Sequence, residues 1–435
     1  MQDYDAIIIG AGYAGLGAAL ELKKAGLSDI LVIEKNDYIG GRCGNVSRDG
    51  IMFPTGQEFV TRHYKSLWEL CQQFEFTLTP LSLEDMLLDN PYPDIDRGRP
   101  QRIRPQNILG SFVFGRTLSP LRKISMILRA PELVYRTLLH QNPRPSLFEV
   151  SASAMGEPLA ELIADTAIRA TWAHSAKEAD AGYFLRWLRN VARGNVYTID
   201  GGIGLLPKRI AGLIGEEHFL LDTEVTEVTR EGDSVSLTCR HNGESSAFKT
   251  RQLVVTTTGN AALKMLHGVG DDTEEFLKGV RYSSYQRVCC ATEEAFPHSY
   301  ILVPERRNTH IAGMTKIAQT DKAYFTVSLM AKAMREAMGR GASNDELKEV
   351  LESLDIHAIS GMVEDFRVLG GVYWDEALPI FSSDHLERVE RYTSYLAAHP
   401  QENIVIAGDM LGGPYSEGAF RSGIAAGRRT VKNLR

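Results

Sequence analysis

At 435 residues the chain exceeds one typical hydrophobic core, so two domains are expected. Its 43% hydrophobic and 24% charged content is ordinary for a globular protein, and a net charge of −7 offers no basic field to gather nucleic acid. Five cysteines, an odd number in a long chain, suggest no disulfide framework, and no C-x-x-C or His/Cys spacing reads as a metal site.

The first element is an apolar strand, Asp5-Ala6-Ile7-Ile8-Ile9, running into Gly10-Ala11-Gly12-Tyr13-Ala14-Gly15. In this G-x-G-x-x-G spacing Gly10 permits a tight turn and Gly12 lets backbone approach a pyrophosphate. Gly15 lets the helix predicted over 16–25 pack close to the strand. Ala14 stands at the opening of that helix, whose amides and dipole favour phosphate charge. A second strand over 30–33 delivers Glu34, nineteen residues past Gly15. A carboxylate there accepts hydrogen bonds from adenosine ribose hydroxyls and repels a 2′-phosphate. Together these features predict a dinucleotide site. Glu34 then leads through Lys35, Asn36, Asp37, Tyr38 and Ile39 to Gly40-Gly41-Arg42, where a guanidinium can meet a pyrophosphate in two places.

Further along, Pro54-Thr55-Gly56-Gln57-Glu58 reads as a turn, and a break falls at Asp89-Asn90-Pro91-Tyr92-Pro93-Asp94. From about 106 to 195 the pattern is helical, with a start at Ser119-Pro120 and an interruption at Pro131. Arg102, Arg104, Arg116, Arg122, Lys123, Arg129 and Arg136 alternate there with apolar residues. The expected use is a substrate-domain helix with a solvated basic face; peripheral contact with an anionic bilayer is the less favoured use. A helix ending near Ile214 follows Tyr197-Thr198-Ile199-Asp200-Gly201-Gly202. Strands are expected over 219–228, 285–292 and 324–329, with a hairpin at 235–240 and 247–250. The adjacent Cys289 and Cys290 should face opposite ways in their strand. A helix over 344–354 should be capped by Asn344. Near the end, Tyr373-Trp374-Asp375-Glu376-Ala377-Leu378-Pro379 precedes His385, read as a structural residue. A final apolar strand, Ile404-Val405-Ile406, runs into Ala407-Gly408-Asp409, then Pro414-Tyr415-Ser416-Glu417-Gly418-Ala419. The first strand starts five residues from Met1, leaving no room for a signal peptide, and no apolar run reaches spanning length. A reduced, cytoplasmic setting is the expectation.

The Gly-Gly-Arg stretch after Glu34, the terminal Gly-Asp and the Glu-Gly-Ala helix entrance resemble the flavin-containing amine oxidase and protoporphyrinogen oxidase superfamily. That superfamily also includes phytoene-desaturase-like enzymes. The resemblance implies an α/β fold: a Rossmann-like FAD-binding domain of GR2 type (1–84, 196–260 and 400–435) and an interleaved α+β substrate-binding domain (85–195 and 261–399). It implies non-covalent FAD held by Gly10, Gly12, Ala14, Gly15, Glu34, Lys35, Gly41, Arg42, Gly56, Val225, Gly408, Asp409, Gly418 and Ala419. In relatives the position of Val225 holds the adenine, and an aromatic at the position of Tyr415 walls the substrate. Trp374, or its neighbour Tyr373, and Gln57 are further substrate-side candidates. The implied activity is dehydrogenation of a small organic substrate at a C–N or C–C bond by hydride transfer to flavin N5, with oxygen a possible reoxidant. A redox-neutral isomerase or mutase, or a flavin monooxygenase, is the alternative.

Two departures matter. Many flavin amine oxidases have a lysine where this chain carries Gln286-Arg287, which tilts the reading toward desaturase-like or porphyrinogen-oxidase-like chemistry; Lys316 is a possible substitute. No cysteine lies in 408–415, where some relatives attach flavin, and Cys43 is only a remote covalent candidate.

Overall fold

A computed structural model describes residues 2–81, 86–103, 128, 144–191, 195–296, 298–330, 341–359 and 364–435. The strand Gln2–Ile9 pairs in parallel with Ile30–Ile33 on one side and Glu244–Val255 on the other. Its Ile7, Ile8 and Ile9, like Val32 and Ile33, are buried on both faces, the pattern of parallel strands covered by helices on each side. The strand Glu244–Val255 serves two partners in turn. Residues 244–250 pair antiparallel with Ser234–His241, as the expected hairpin, whereas Leu253–Val255 pair in parallel with Ile404–Ile406. The two sequence-distant Rossmann strands therefore meet through one twelve-residue strand. The expected strand over 219–228 is two pieces, Phe219–Leu220 and Glu224–Glu231, separated where Asp222 takes a left-handed φ of 52°.

Helices Tyr13–Lys24, Leu205–Ile214 and Ser416–Leu434 cover one face of this sheet. The first and last of these touch backbone to backbone. A Cβ at Gly17 would lie 2.4 Å from the Phe420 carbonyl oxygen, and one at Gly423 would lie 1.9 Å from that of Ala14. The opposite face carries helices Gly259–Met265, Asp271–Lys278 and Ser383–Ala398, where Phe276 stacks on Tyr392 with centroids 4.7 Å apart. Strand Leu266–His267 also pairs with Glu224–Glu231. The stretch read from sequence as one block of the substrate domain, 261–399, is thus shared between two layers. Burial of Phe276, Leu277 and Tyr392 holds its two ends on the first sheet.

Among the described residues the second sheet has seven strands, in the order Arg367–Pro379, Tyr282–Thr292, Ala323–Met330, Ile311–Gln319, Tyr300–Leu302, Met86–Leu88 and Gln101–Ile103. Cys289 and Cys290 point into different cores on its two faces, as alternation requires. Beside it lie helices Leu147–Met155, Thr166–Trp172 and Ala181–Val191 around Trp172, with a π-helical turn over Ala160–Asp165. Helix Asn344–Ser353 is capped by Ser343, not Asn344. The Ser343 side chain accepts from the Glu346 amide while Glu346 returns a bond to the Ser343 amide. Arg102 sits exposed on its strand; Arg104, Arg116, Ser119, Pro120, Arg122, Lys123, Arg129, Pro131 and Arg136 lie outside the described residues. Among the described residues no helix is long and apolar enough to cross a membrane.

Candidate functional site

A continuous cavity of about 1830 Å³ runs from the carboxyl ends of the first sheet's parallel strands to one face of the second sheet. Ordinary ligand sites occupy roughly 300–1,000 Å³, so this one has room for two molecules end to end.

At the nucleotide end, the turn from strand to helix is built by three glycines with different duties. Gly10 has φ +104°, and a Cβ there would press on the Thr256 hydroxyl at 2.8 Å. At Gly15 a Cβ would lie 1.8 Å from the Gly10 carbonyl oxygen, so this glycine is required by packing and not by the cavity. Gly12 is the opposite case: a Cβ there meets no protein atom within 4 Å, and the residue lines the cavity with Tyr13 and Ala14. The helix starting at Tyr13 has no side-chain cap, so its first amides are directed at that space. Glu34 is buried and held from three donors: the Ala11 amide to Oε2 at 2.8 Å, and the Asn36 amide and Nδ2 to Oε1 at 2.9 and 2.6 Å. Lys35, Gly41 and Val225 also line the cavity, with Val225 at a bulge that interrupts its ladder.

Arg42 is engaged differently from the two-point pyrophosphate contact expected of it. Its Nη2 lies 2.9 Å from Asp409 Oδ2, and Nη1 donates to the Ala377 carbonyl at 2.5 Å and more weakly to that of Glu376. Burial disfavours the guanidinium's charge, but Asp409 overcomes this and holds its pKa above the usual value. The Gly-Gly-Arg and Gly-Asp motifs thus grip one another, and they also grip the strand bearing Trp374. Gly408 and Asp409 line the cavity; the Gly408 amide donates to Ser422. Gly418 lies off it, packed so that a Cβ would sit 2.6 Å from the Gly412 carbonyl oxygen, while Ala419 lines it. Glu417 reaches across to accept from the Ser66 and Leu67 amides, each at 3.0 Å, capping helix Lys65–Gln73. His385 is buried and its Nε2 pairs with the Met410 carbonyl at 2.7 Å; burial lowers its pKa to about 4, so it serves as a neutral structural group. Cys43 borders the cavity, but burial pushes its thiol up to about 12, so it is no ready nucleophile.

The aromatic chamber follows. Tyr415 stacks on Tyr64 at 5.6 Å between centroids, and Tyr64 stacks in turn on Phe59 at 6.3 Å. Trp374, not Tyr373, faces the cavity, its indole N–H fixed to the Thr55 carbonyl at 2.8 Å. Gly56 beside it has no space for a Cβ, which would sit 2.3 Å from the Arg42 carbonyl oxygen. Gln57 donates to the Phe59 carbonyl, leaving its buried Oε1 without a protein partner at the cavity wall. The sequence-expected residues Tyr415, Trp374 and Gln57 therefore do converge, joined by Tyr64, Phe184 and Trp187, which no motif announced. Beyond them Arg287 is almost wholly buried: it pairs with Glu58 at 2.5 Å and donates to the Pro54 carbonyl and to the Tyr285 hydroxyl. Among the described residues no group of three or more metal-ligating side chains forms a metal site.

The family model for flavin containing amine oxidoreductase matches residues 13–431. The chain belongs to that family. It is 25% identical over 266 residues to "Probable flavin-containing monoamine oxidase A" of Dictyostelium discoideum, a match covering 58% of this chain and 57% of that protein, so little more than half of the relative's length is spanned. Cyclohexylamine oxidase from Brevibacterium oxydans IH-35A shares the fold with a TM-score of 0.73, 17% identity and 99% of both chains covered. Reduced UDP-galactopyranose mutase gives a TM-score of 0.71 at 16% identity, covering 99% of this chain and 98% of that one. Membership brings a flavin, FAD, and the residues present fit it. The open face of Gly12, the uncapped helix start and the buried Glu34 match pyrophosphate and ribose chemistry.

Proposed function

We propose that this family member is an FAD-dependent oxidoreductase that removes two electrons from a small organic substrate at a C–N or C–C bond. The observation that carries the reading is continuity: the glycine-lined cleft and the aromatic chamber are one cavity, so a substrate can lie against a flavin ring. Bound FAD supplies the hydride acceptor at N5. Gly10, Gly12, Ala14, Glu34, Lys35, Gly41, Val225, Gly408 and Ala419 shape or line its cleft; Gly15, Gly56 and Gly418 set the close approaches behind it. Arg42 and Asp409 fix that cleft to the substrate sheet. Tyr415 and Trp374 wall the substrate, and Gln57 borders the same chamber. Arg287, permanently protonated and held by Glu58, is no base for the reaction.

The test is anaerobic mixing of the yellow protein with amines, amino acids, porphyrinogens and heterocyclic biosynthetic intermediates. Bleaching of the flavin with one equivalent of oxidised product supports the reading. Conversion without net oxidation moves the assignment to a redox-neutral isomerase or mutase. Tyr415→Ala should keep its flavin and be reduced more slowly; reduction at the wild-type rate removes Tyr415 from the substrate wall. A folded but colourless protein that takes up no added FAD ends the proposal.

A further inference from the structure

Charge enters the aromatic chamber at one point. Tyr64, Trp187, Trp374 and Tyr415 supply flat wall, continued at the edge of the second sheet by Leu88 and Leu302. Tyr285 and Arg287 border this space from the strand Tyr282–Thr292, while Val288 and Cys290 point to the core on the sheet's other side. Lys316 also borders the cavity, but strand register sets it beside Phe325 of that other core. Its ammonium bonds the Phe296 carbonyl there, at 3.0 Å. Arg287 and its partner Glu58 are left as the charged side chains of the chamber among the described residues.

The two partners differ in access. The Arg287 side chain is 4% exposed and each of its nitrogens is engaged: Nη1 on the Pro54 carbonyl, Nη2 on Glu58 Oε1, and Nε with Nη2 on the Tyr285 hydroxyl. The Glu58 side chain is 22% exposed where it borders the cavity. Its Oε1 is taken by Arg287, whereas Oε2 accepts from no described residue and is not among the buried, sealed-off polar atoms. Glu58 therefore keeps acceptor capacity toward the chamber. Its charge, however, is already matched. Burial opposes the charge on Arg287, but Tyr285 and Glu58 outweigh it and hold the guanidinium protonated. Burial and Glu58 likewise keep the nearby Tyr300 phenol neutral. A neutral O–H or N–H donor gains a charge-assisted bond here and leaves the balance intact. An ammonium sets a second cation beside Arg287, and a substrate carboxylate meets Glu58; either brings an unmatched charge into an apolar site.

Resting on the proposed function, we propose that the substrate is a neutral, flat apolar molecule carrying one O–H or N–H donor, and that this donor docks on Glu58 Oε2. Glu58 is then a specificity-determining residue: it selects for a polar hydrogen. Arg287 is its positioning residue, which fixes the carboxylate and cancels the charge that otherwise favours a cation.

The experiment titrates four probes of one ring system into the holoenzyme at neutral pH: naphthol, methoxynaphthalene, naphthylmethylamine and naphthoate, all substituted at the same ring position. Affinity is read by calorimetry, with flavin content measured separately. Naphthol should bind about ten-fold more tightly than methoxynaphthalene, the size of one charge-assisted hydrogen bond, and the cationic and anionic probes should bind more weakly than both. Glu58→Gln should bring naphthol down to the level of methoxynaphthalene and should strengthen naphthoate by about ten-fold, because the Arg287 charge is then unmatched. Glu58→Asp, which keeps the charge, should leave naphthoate weak. The wild-type order decides the proposal even where Glu58→Gln fails to fold. Equal binding of naphthol and methoxynaphthalene, tightest binding of naphthylmethylamine, or a naphthol preference that survives Glu58→Gln overturns it. If naphthol is preferred through Glu58 but no donor-bearing ring compound ever bleaches the flavin, the donor site stands and the dehydrogenase reading falls. If substrates bleach the flavin while naphthol shows no preference, the reverse holds.

Discussion

The two ends of the cavity are built from different materials. The nucleotide end is backbone: glycines whose missing Cβ atoms let main chain approach main chain, a helix terminus, and strands paired in register. The aromatic end is side chain, with stacked rings and a buried ion pair drawn from strands and helices far apart in sequence. A backbone-built site tolerates little change but is local enough to leave a motif. A side-chain-built site varies freely, and so can change specificity on a constant frame.

Gly15→Ala is the harshest way to break the backbone end. A methyl placed 1.8 Å from the Gly10 carbonyl oxygen must displace helix from strand, at a cost of about 3 kcal/mol or more. Denaturant unfolding should show this even without FAD. Acid comes next. His385 has its pKa held at about 4, below the unfolded value of 6.5, so the unfolded chain takes up the extra proton as pH falls through this window. Stability should be unaffected by this group above pH 6.5 and should decline by up to about 3 kcal/mol toward pH 4. His385→Gln should flatten that slope, whereas the Arg287 and Tyr300 cluster, whose pKa values are raised, should contribute none of it.

Asp409→Asn leaves the half-buried Arg42 guanidinium beside a neutral amide. A loss of about 1–3 kcal/mol is expected, with weaker FAD retention and a shifted Trp374 emission, because Arg42 also holds the Ala377 carbonyl on that strand. Gly12→Ala is the smallest perturbation to the fold and the sharpest to the comparison. Its Cβ enters open space from extended backbone, so apoprotein stability should move by less than about 0.5 kcal/mol. FAD affinity should fall by on the order of ten-fold, one displaced charge-assisted contact. Equal losses from Gly12→Ala and Gly15→Ala in the unfolding of the apoprotein would show that the two glycines do not divide packing and binding between them.

Legibility followed the same division. Gly10, Gly12 and Gly15, the spacing to Glu34 and the terminal Gly-Asp could be read because each reflects a contact within one turn or a fixed offset. The grip between Arg42 and Asp409 could not, since nothing local distinguishes a guanidinium bound for a phosphate from one bound for a carboxylate. Tyr64 was invisible because its partner, Tyr415, is 351 positions away. Glu417 stands in a recognisable motif, yet its use as a cap for Lys65–Gln73 depends on how two helices meet. The same holds for 261–280 and 383–398, whose periodicity shows an apolar face but not which sheet it covers. Asn344 lost the capping position to Ser343 because Glu346 completes the reciprocal pair three residues from the serine.

The middle strand Glu244–Val255 has an early partner, Gln2–Ile9, on one side and a late one on the other. Its parallel neighbour Ile404–Ile406 and the helix Ser416–Leu434, which covers Tyr13–Lys24, are synthesised after the other described strands of that sheet. Until then the first helix has Gly17 facing water, and the nucleotide sheet lacks a strand. Nascent chains should therefore acquire protease resistance in one late step, and contacts of such long sequence separation make that step slow.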